Sequence, residues 1–427
     1  MRKLLLILMI FGLSVGLIYS QEKQAEDVED ISLEDMLNVE VTTATKSKVT
    51  ISEAPAIISV ITADQIERLG VRKLSDVLNY VPGFTMVDSY WKPDIIVARG
   101  VRPTLYNDKV LMLINGIPAY DAASMEFFLD TVPIDGVDKI EIIRGPGSTL
   151  YGTNAFAGVI NVITKKEGSN HARIGYGSFD TKEAGLFFNR KVGKVSFTFS
   201  ASMRDDTGFM KEAADEAGIE GKNIYERDIH SFFGSMSYEG FTVQVGHGYQ
   251  RFGKFGPTPR FAFGNNFNTE SGKATHLKSY INIFYEKTFG KLDTKFTVHY
   301  DDTDKQSAIG TFGAIYELLG VLEPGTAPDV AYYRFGGTCL LGEFQAQYGF
   351  KNHTLTAGVS FEKRETKHLA DMYDDLNGNL LASSSTQDLP FDTNDLGGYL
   401  QLDGKLTKQL GYIAGVRFTK LGINDKW

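Results

Sequence analysis

The sequence predicts a small α+β domain lodged inside a transmembrane antiparallel β-barrel, of which the chain supplies about 11 of an expected 22 strands. Three observations support this fold class. The chain opens on an apolar export signal, and mixed helix and strand patterns then occupy residues 46–166. From residue 167 to 427, apolar and polar side chains alternate with a period of two, which is typical of strands with two unlike faces.

Residues 1–20 have the pattern of a secretory signal peptide. Arg2 and Lys3 precede an apolar run from Leu4 to Ile18, and the small residue Ser20 offers a cleavage site. An uncleaved membrane anchor is the alternative, although the run is short for a spanning helix. We therefore expect an exported protein whose signal peptide is removed.

The composition argues against several function classes. The formal net charge of −9 disfavours a nucleic-acid partner, which selects basic surfaces. Cys339 is the single cysteine, so the sequence predicts no intramolecular disulfide and no multi-cysteine metal centre. The histidines form no HExxH motif, and no acid/base pair or nucleophile constellation stands out. We expect no catalytic residues, no metal site, no cofactor and no enzyme activity.

Residues 21–45 are dense in acidic side chains and poor in bulky apolar ones. Such a segment buries too little surface to offset its ordering entropy, which predicts a flexible leader.

Residues 46–166 predict a compact domain with two short helices and several strands. Thr62 and Gln65 form a capping-box pattern for a helix that ends at Gly70, and apolar residues from Leu74 to Val81 predict a second helix before Pro82. The predicted strands are Asp94–Arg99, Lys109–Ile114 followed by an Asn-Gly turn, Asp138–Arg144 and Gly158–Thr164.

Beyond residue 166 we predict about eleven strands with one apolar and one polar face. They lie near 172–176, 183–191, 195–204, 229–238, 241–250, 277–288, 291–302, 338–349, 352–363, 395–404 and 409–420.

After the first connection, short turns and long loops follow one another in strict alternation. The long loops are residues 205–228, 251–276, 303–337 and 364–394. A soluble sandwich can alternate its strands but has no reason to place every long loop at one end. A transmembrane barrel has short periplasmic turns and long external loops, so the barrel is favoured.

The sizes of the two domains indicate a barrel larger than eleven strands. About 120 residues fill a sphere of roughly 17 Å radius. Eleven tilted strands close to a radius of only about 11 Å, whereas 22 strands reach about 22 Å. Bacterial single-chain barrels also have even strand numbers. We therefore expect the chain to be the first half of a filled barrel that stops inside its sixth outer loop.

Four motifs in residues 38–166 resemble the plug domain of TonB-dependent outer-membrane receptors. They are VITADQIERLGVRKLSDVLNYVPGF at 60–84, IIVARGV at 95–101, VLMLINGIP at 110–118 and DKIEIIRGPGSTLYGTNAFAGVINVITKK at 138–166. The barrel region agrees in pattern only. The resemblance implies that the α+β domain is a plug.

The glycines of the last motif do not predict a phosphate site. Gly145, Gly147, Gly152 and Gly158 lack the Gly-Lys-Ser/Thr ending of a phosphate loop. Glycines there would instead allow positive φ and close backbone approach in a filled lumen. The resemblance further implies that Arg99 and Arg144 pair with barrel glutamates and hold the plug in place, with partners expected beyond the sequence given.

The segment NVEVTTA at residues 38–44 is similar to the box that recruits TonB. A β-prone piece after a flexible leader can add as a strand to the edge of a partner's sheet. An ordinary first plug strand is the alternative, and Glu40 departs from the apolar residue more common there. The predicted partner-binding residues are Asn38, Val39, Glu40, Val41, Thr42, Thr43 and Ala44.

Candidate ligand contacts come from plug segments that the resemblance places on the outer side, residues 88–94, 103–108 and 120–128. Tyr90, Trp91 and Tyr106 are the candidates, with packing against the barrel wall as the alternative. Residues 251–276 interleave basic and aromatic side chains, which suits an anionic ring-bearing ligand such as a ferric catecholate or, alternatively, an aromatic girdle with lipopolysaccharide contacts.

The resemblance implies a monomeric receptor in the outer membrane of a Gram-negative-type bacterium. It would take up a ferric siderophore, or another iron chelate, haem or cobalamin, with energy supplied through TonB. Two rivals are a passive porin or adhesin, which predicts no plug, and a truncated non-functional remnant, because half a barrel leaves unpaired strand edges in the bilayer. A signalling transducer would need a further folded domain before residue 38.

Overall fold

The computed structural model describes residues 38–54, 56–87, 94–103, 109–152, 154–214, 220–253, 273–310, 330–373, 380–382, 392–407 and 410–423. The predicted signal peptide and most of the leader lie outside these residues. Among the described helices, none has the length and apolar character to cross a membrane.

Residues 38–166 form an inner domain of short strands and helices. Its strands are β1 Glu40–Val41, β2 Val49–Thr50, β3 Ile58–Thr62, β4 Phe84–Val87, β5 Ile95–Ala98, β6 Val110–Ile114, β7 Ile117–Pro118, β8 Val137–Ile143 and β9 Gly158–Thr164. Its helices are α1 Ala63–Leu69, α2 Leu74–Leu78 and α3 Ser148–Tyr151, with 3-10 turns at Leu129–Thr131 and Ile134–Gly136.

The rest of the described chain forms a curved antiparallel sheet, here called the wall. Its strands are β10 His171–Gly177, β11 Thr181–Val192, β12 Val195–Asp206, β15 Arg227–Tyr238, β16 Phe241–Gly253, β17 Lys273–Phe289, β18 Leu292–Gly310, β19 Val330–Phe350, β20 His353–Tyr373, β22 Thr393–Lys405 and β23 Gly411–Ile423. These eleven strands pair in sequence order, and β21 Leu380–Ala382 adds to β20. β13 Met210–Ala214 and β14 Glu220–Ile224 form a separate hairpin.

Local sequence signals set the first helix of the inner domain. Thr62 accepts a hydrogen bond from the Gln65 backbone N–H while the Gln65 side chain binds the Thr62 N–H, which is the predicted capping box. Gly70 ends α1 in the left-handed region at φ 66°. The second helix is shorter than predicted, because α2 ends at Leu78 and the chain turns through Asn79 toward Pro82.

A five-stranded sheet in the order β3-β8-β9-β6-β7 forms the centre of the inner domain. β6 and β9 are parallel and the other neighbours are antiparallel. The sheet packs against α1 and α2 in one apolar cluster that includes Leu74, Val77, Met112, Ile140 and Ile160. All five side chains are at most 1% exposed, so the domain has a core of its own.

Two glycines of the inner domain have structural roles, one in the turn after β6 and one at the start of β9. Asn115 and Gly116 have φ of 52° and 82°, as the predicted two-residue turn between β6 and β7 requires. A Cβ at Gly158 would lie 2.9 Å from the carbonyl oxygen of Ile143 and 3.1 Å from the ring of Phe84. Close backbone approach therefore requires glycine at this position.

The apolar side chains of the wall face outward, which is the opposite of their placement in a soluble sheet. On β17, Ile281 is 38% exposed on the outer face while its neighbour Asn282 is 1% exposed toward the inner domain. On β18, Tyr300 is 42% exposed and His299 only 3%. Because apolar side chains face outward and polar ones inward, the sheet is the partial barrel that the alternation predicts, and a soluble sandwich is excluded.

Several wall strands extend beyond the predicted boundaries. β18, β19 and β20 continue into residues predicted as the loops 303–337 and 364–394, and the predicted loop 205–228 contains the hairpin β13–β14. The prediction ended strands where the apolar face ended. Outward residues past the predicted end at 302, such as Asp304 and Gln306, are polar, although the backbone ladder of β18 and β19 continues through them.

We expect Gly158→Ala to destabilise the inner domain by about 1–3 kcal/mol, because the added methyl group overpacks against Ile143 and Phe84. The measurement is the thermal unfolding midpoint of the purified protein in detergent. Gly349→Ala is the control, since a Cβ there meets nothing within 4 Å. Equal midpoints for the two variants would contradict the assignment.

Candidate functional site

The predicted partner-binding segment 38–44 is folded against the inner domain. Glu40 and Val41 pair with Thr50 and Val49 in the two-stranded sheet β1–β2. Asn38 and Glu40 are exposed, whereas Val41, Thr43 and Ala44 are buried. The segment thus has an accessible first half and a covered second half.

A single carboxylate holds the covered half. Glu141 Oε2 accepts hydrogen bonds from the backbone N–H groups of Thr42 and Thr43, both at 2.9 Å, and from the Thr43 hydroxyl at 2.6 Å. Glu141 is fully buried on β8, and its other oxygen lies 3.0 Å from the ammonium of Lys139. These are charge-assisted hydrogen bonds, which are stronger than neutral ones.

Two further side chains of the inner domain fix Thr43 from the opposite sides. The Asn161 amide on β9 donates to the Thr43 hydroxyl at 3.0 Å, and the Tyr151 hydroxyl at the end of α3 donates to the Thr43 carbonyl at 2.9 Å. Every polar group of Thr43 therefore has a partner, as burial demands.

Residues just after the segment connect it to the wall near the short turns. Lys46 lies 2.7 Å from Glu343 on β19 and 3.1 Å from the Tyr399 hydroxyl on β22. Glu53 pairs with Lys405 at 2.6 Å, at the end of β22. Burial lowers the pKa of Lys46, and the Glu343 carboxylate opposes that shift.

A second contact region holds residues 120–126 toward the other end of the wall. The buried ammonium of Lys305 on β18 lies 3.2 Å from the Asp121 carboxylate and 3.3 Å from that of Glu126. It also donates to the Ser124 hydroxyl. One wall cation is thus shared by two inner-domain anions in a site from which water is largely excluded.

Tyr120 adds two contacts to neighbouring wall strands. Its hydroxyl donates to Glu362 on β20 at 2.7 Å, and its carbonyl accepts from Lys278 on β17 at 2.6 Å. Residues 120–126 therefore contact three wall strands at once.

The charge at Asp121 depends on these contacts. Burial alone would raise its pKa, but Lys305 and the hydrogen bonds from Ser124 outweigh burial, so the pKa of Asp121 lies below its ordinary value. The carboxyl group is therefore ionised and paired near neutral pH.

A third contact region involves acidic side chains near the 3-10 turns. Arg173 on β10 binds Asp135 with two hydrogen bonds of 2.9 and 3.0 Å, a bidentate pair. Arg227 on β15 lies 3.6 Å from both Asp130 and Asp94. In these contacts the inner domain supplies the anions and the wall the cations, the reverse of the pairing expected for Arg99 and Arg144.

Arg99 and Arg144 lie next to each other. The Arg99 guanidinium donates to the Arg144 carbonyl at 3.4 Å, and Arg144 donates to the Pro82 carbonyl at 3.4 Å. Within the described residues neither forms an ion pair with a carboxylate. Their pairing with barrel glutamates stays a prediction.

The candidate ligand contacts Tyr90, Trp91 and Tyr106 lie outside the described residues, as does most of 251–276. The remaining segment predicted to face outward, 120–128, packs against the wall, with Tyr120, Phe127 and Phe128 at most 5% exposed.

Comparisons with known proteins agree with this architecture. The family model "TonB-dependent Receptor Plug Domain" matches residues 50–159. Residues 50–159 therefore form a plug domain of the kind found in TonB-dependent receptors. The vitamin B12 transporter BtuB of Photobacterium profundum is 26% identical over 315 residues, covering 67% of this chain and 49% of the relative. The iron-regulated outer membrane virulence protein of Vibrio cholerae is 35% identical over 164 residues, covering 36% and 24%.

A solved structure shares the fold of this chain. The pyoverdine outer membrane receptor FpvA of Pseudomonas aeruginosa matches with a TM-score of 0.64 at 19% identity, covering 90% of this chain and 59% of FpvA. The chain spans about half the length, or less, of the curated relatives it matches.

We expect Glu141→Gln to loosen segment 42–45, because each charge-assisted hydrogen bond contributes about 1.5–3 kcal/mol. Amide exchange of Thr42 and Thr43 should accelerate roughly 10- to 100-fold, as measured by hydrogen–deuterium exchange with mass spectrometry. Glu40→Gln is the control, since Glu40 is exposed and contacts Lys48 at the surface. Unchanged exchange in Glu141→Gln would refute the role of the carboxylate.

We expect Asp121→Asn to lower the free energy of unfolding at neutral pH by at most about 3–5 kcal/mol. The loss should be smaller than that limit, because Glu126 still pairs with Lys305. The folded pKa of Asp121 is lowered, so its contribution is present above the unfolded pKa and is lost as the pH falls through the folded pKa. The difference in thermal midpoint between wild type and variant should therefore shrink below about pH 4.

The exposed Asp138→Asn serves as the control for that measurement and should track the wild type at every pH. A wild-type-to-Asp121→Asn difference that is the same at pH 7 and pH 3 would show that charge is not the cause.

Proposed function

We propose that this chain belongs to an energised outer-membrane uptake receptor in which residues 38–44 bind TonB. The observation that carries the proposal is the position of this segment. It is β-prone, it is exposed at Asn38 and Glu40, and hydrogen bonds to Glu141 hold its second half. Val41 and Ala44 also pack into a small apolar cluster of the inner domain. A strand of this kind can leave its site and add to a partner's sheet edge.

The arrangement of contacts supports a division of labour within the inner domain. Residues 40–53 lie beside the short turns of the wall, which is the periplasmic end in bacterial barrels. Residues 120–126 lie toward the long connections and are held by Lys305, Lys278 and Glu362. Force applied at the N-terminal segment would load residues 40–53 before residues 120–126, and a path would open by partial rearrangement of the plug.

In this proposal the chain has four regions. Residues 1–20 are a cleaved signal peptide, residues 21–45 a periplasmic leader with the TonB-binding segment, residues 46–166 the plug, and residues 167–427 wall strands in the outer membrane. The receptor acts as a monomer in contact with outer-membrane lipid and lipopolysaccharide, and its function is transport rather than catalysis.

The proposed ligand is a ferric siderophore. Support comes from the basic and aromatic composition of residues 251–276 and from the relative named as an iron-regulated outer membrane virulence protein. Cobalamin is the second candidate, because the relative named as a vitamin B12 transporter covers more of the chain.

We expect Val39→Pro to abolish TonB binding and energy-dependent uptake while ligand binding at the cell surface persists, because proline removes a main-chain donor. Val39→Ile keeps the N–H and should retain most uptake. The measurements are site-specific crosslinking to TonB and uptake of radiolabelled ligand. Full uptake by Val39→Pro would overturn the role of the segment.

Growth and uptake of a deletion strain, tested separately on ferric siderophores, haem and cobalamin, identify the ligand. We expect loss of ferric siderophore uptake alone. Loss of cobalamin uptake alone would select the second candidate, and unchanged uptake of all three with reduced leakage of small solutes would favour a passive porin.

A further inference from the structure

A buried group of metal-ligating side chains lies on the inner face of the wall, apart from residues 38–44 and 120–126. His299 and Asp301 are two residues apart on β18, and Cys339 is directly opposite Asp301 on β19. One ligand atom from each of the three lies within 4.8 Å of the others. All three residues are at most 3% exposed.

The hydrogen bonds around His299 select the tautomer whose Nε2 is free to bind a metal. Its Nδ1 lies 2.7 Å from the Asn282 Oδ1, and the Asn282 amide nitrogen in turn donates to Gln244 at 3.4 Å, which sets the amide orientation. Nδ1 therefore carries the proton that it donates to Asn282. A carbonyl or carboxylate that accepts from the second ring nitrogen is the usual support of a metal-binding histidine.

This tautomer leaves two acceptors facing each other. The Nε2 lone pair of His299 points to Asp301 Oδ2 at 2.8 Å, a distance that repulsion disfavours unless both atoms bind the same cation. The cation is either a second proton on the imidazole or a metal ion.

Two observations favour a metal over a proton. The other carboxylate oxygen, Asp301 Oδ1, is buried without a hydrogen-bond partner among the described residues, and a proton shared with Oδ2 would not satisfy it. In addition, the Cys339 sulfur lies in the same group and offers a third metal ligand, which an imidazolium–carboxylate pair would not need. The sulfur also lies 3.8 Å from the Glu362 carboxylate.

We propose that His299 Nε2, Asp301 and Cys339 Sγ bind a Zn²⁺ ion. Thiolate, imidazole and carboxylate together are a donor set that zinc favours, and a fourth position stays open for water or a further oxygen. Lys278, 2.9 Å from Asp301 Oδ2, and Asn282 hold the ligands in orientation. The sequence predicted no metal site because it has neither a multi-cysteine motif nor an HExxH motif. The group of His299, Asp301 and Cys339 fits neither motif, because its ligands come from two neighbouring strands.

Charge balance is compatible with the ion. The carboxylate of Asp301 and the thiolate of Cys339 would neutralise Zn²⁺, and the thiol proton is released on binding. Lys278, Glu362 and Arg364 surround the group, with Arg364 lying 3.2 Å from Glu362 and 2.9 Å from Asp395. The ion would join β18 to β19. It would lie close to Tyr120, because Lys278 contacts Asp301 and also donates to the Tyr120 carbonyl.

The experiment uses the full-length receptor, folded in the presence of Zn²⁺ or Co²⁺ because the site is buried, and then dialysed. We expect about one tightly held metal per chain by elemental analysis and, with Co²⁺, a near-ultraviolet thiolate-to-metal absorption band. Cys339→Ser should abolish the band, and Asn282→Ala should weaken metal binding about 10- to 100-fold while the band remains at saturating Co²⁺.

His353→Gln is the matched control, because His353 lies elsewhere on the wall beside Tyr412 and should leave metal content and the band unchanged. Heat-dependent mobility in SDS gels reports whether each variant is folded. A folded wild-type receptor with no band, or with the same metal content as folded Cys339→Ser, would show that His299 and Asp301 form only a protonated ion pair.

Discussion

The position of the inner domain depends on charged side chains that are buried where it meets the wall. Lys305 is removed from water and is compensated by Asp121 and Glu126. An ion transferred out of water costs several kcal/mol unless its partners move with it. Displacing residues 120–126 would leave Lys305 as an uncompensated buried charge, so separating this region from the wall is strongly unfavourable.

The N-terminal segment is held by a different kind of interaction. Thr42 and Thr43 are bound by main-chain hydrogen bonds to Glu141, a residue of the same domain. Their N–H groups regain water when the segment leaves, so its release costs less than exposing a buried ion pair. The same domain thus combines a strongly fixed region with one that can be exchanged for another partner.

The sequence was sufficient for the architecture but not for the contacts. Period-two alternation located all eleven wall strands, and the capping box at Thr62 located α1, because both signals are local. In DKIEII, Lys139 and Glu141 alternate with apolar residues and predict a polar face. Nothing in that pattern says that residues 42–45 cover it. The pairs of Lys305 and Arg173 likewise depend on strand register against a separate domain, which no local pattern encodes.

The hairpin β1–β2 has a mechanical consequence. Its open end is the pair Glu40–Thr50, and the chain leaves toward the N-terminus from that same end. Tension on residue 38 would first load the hydrogen bond that the Ile51 N–H donates to the Val39 carbonyl, and then the Glu40–Thr50 and Val41–Val49 pairs, so the contacts would break in succession. Pulled along its own axis against several bonds at once, the same strand would resist in shear.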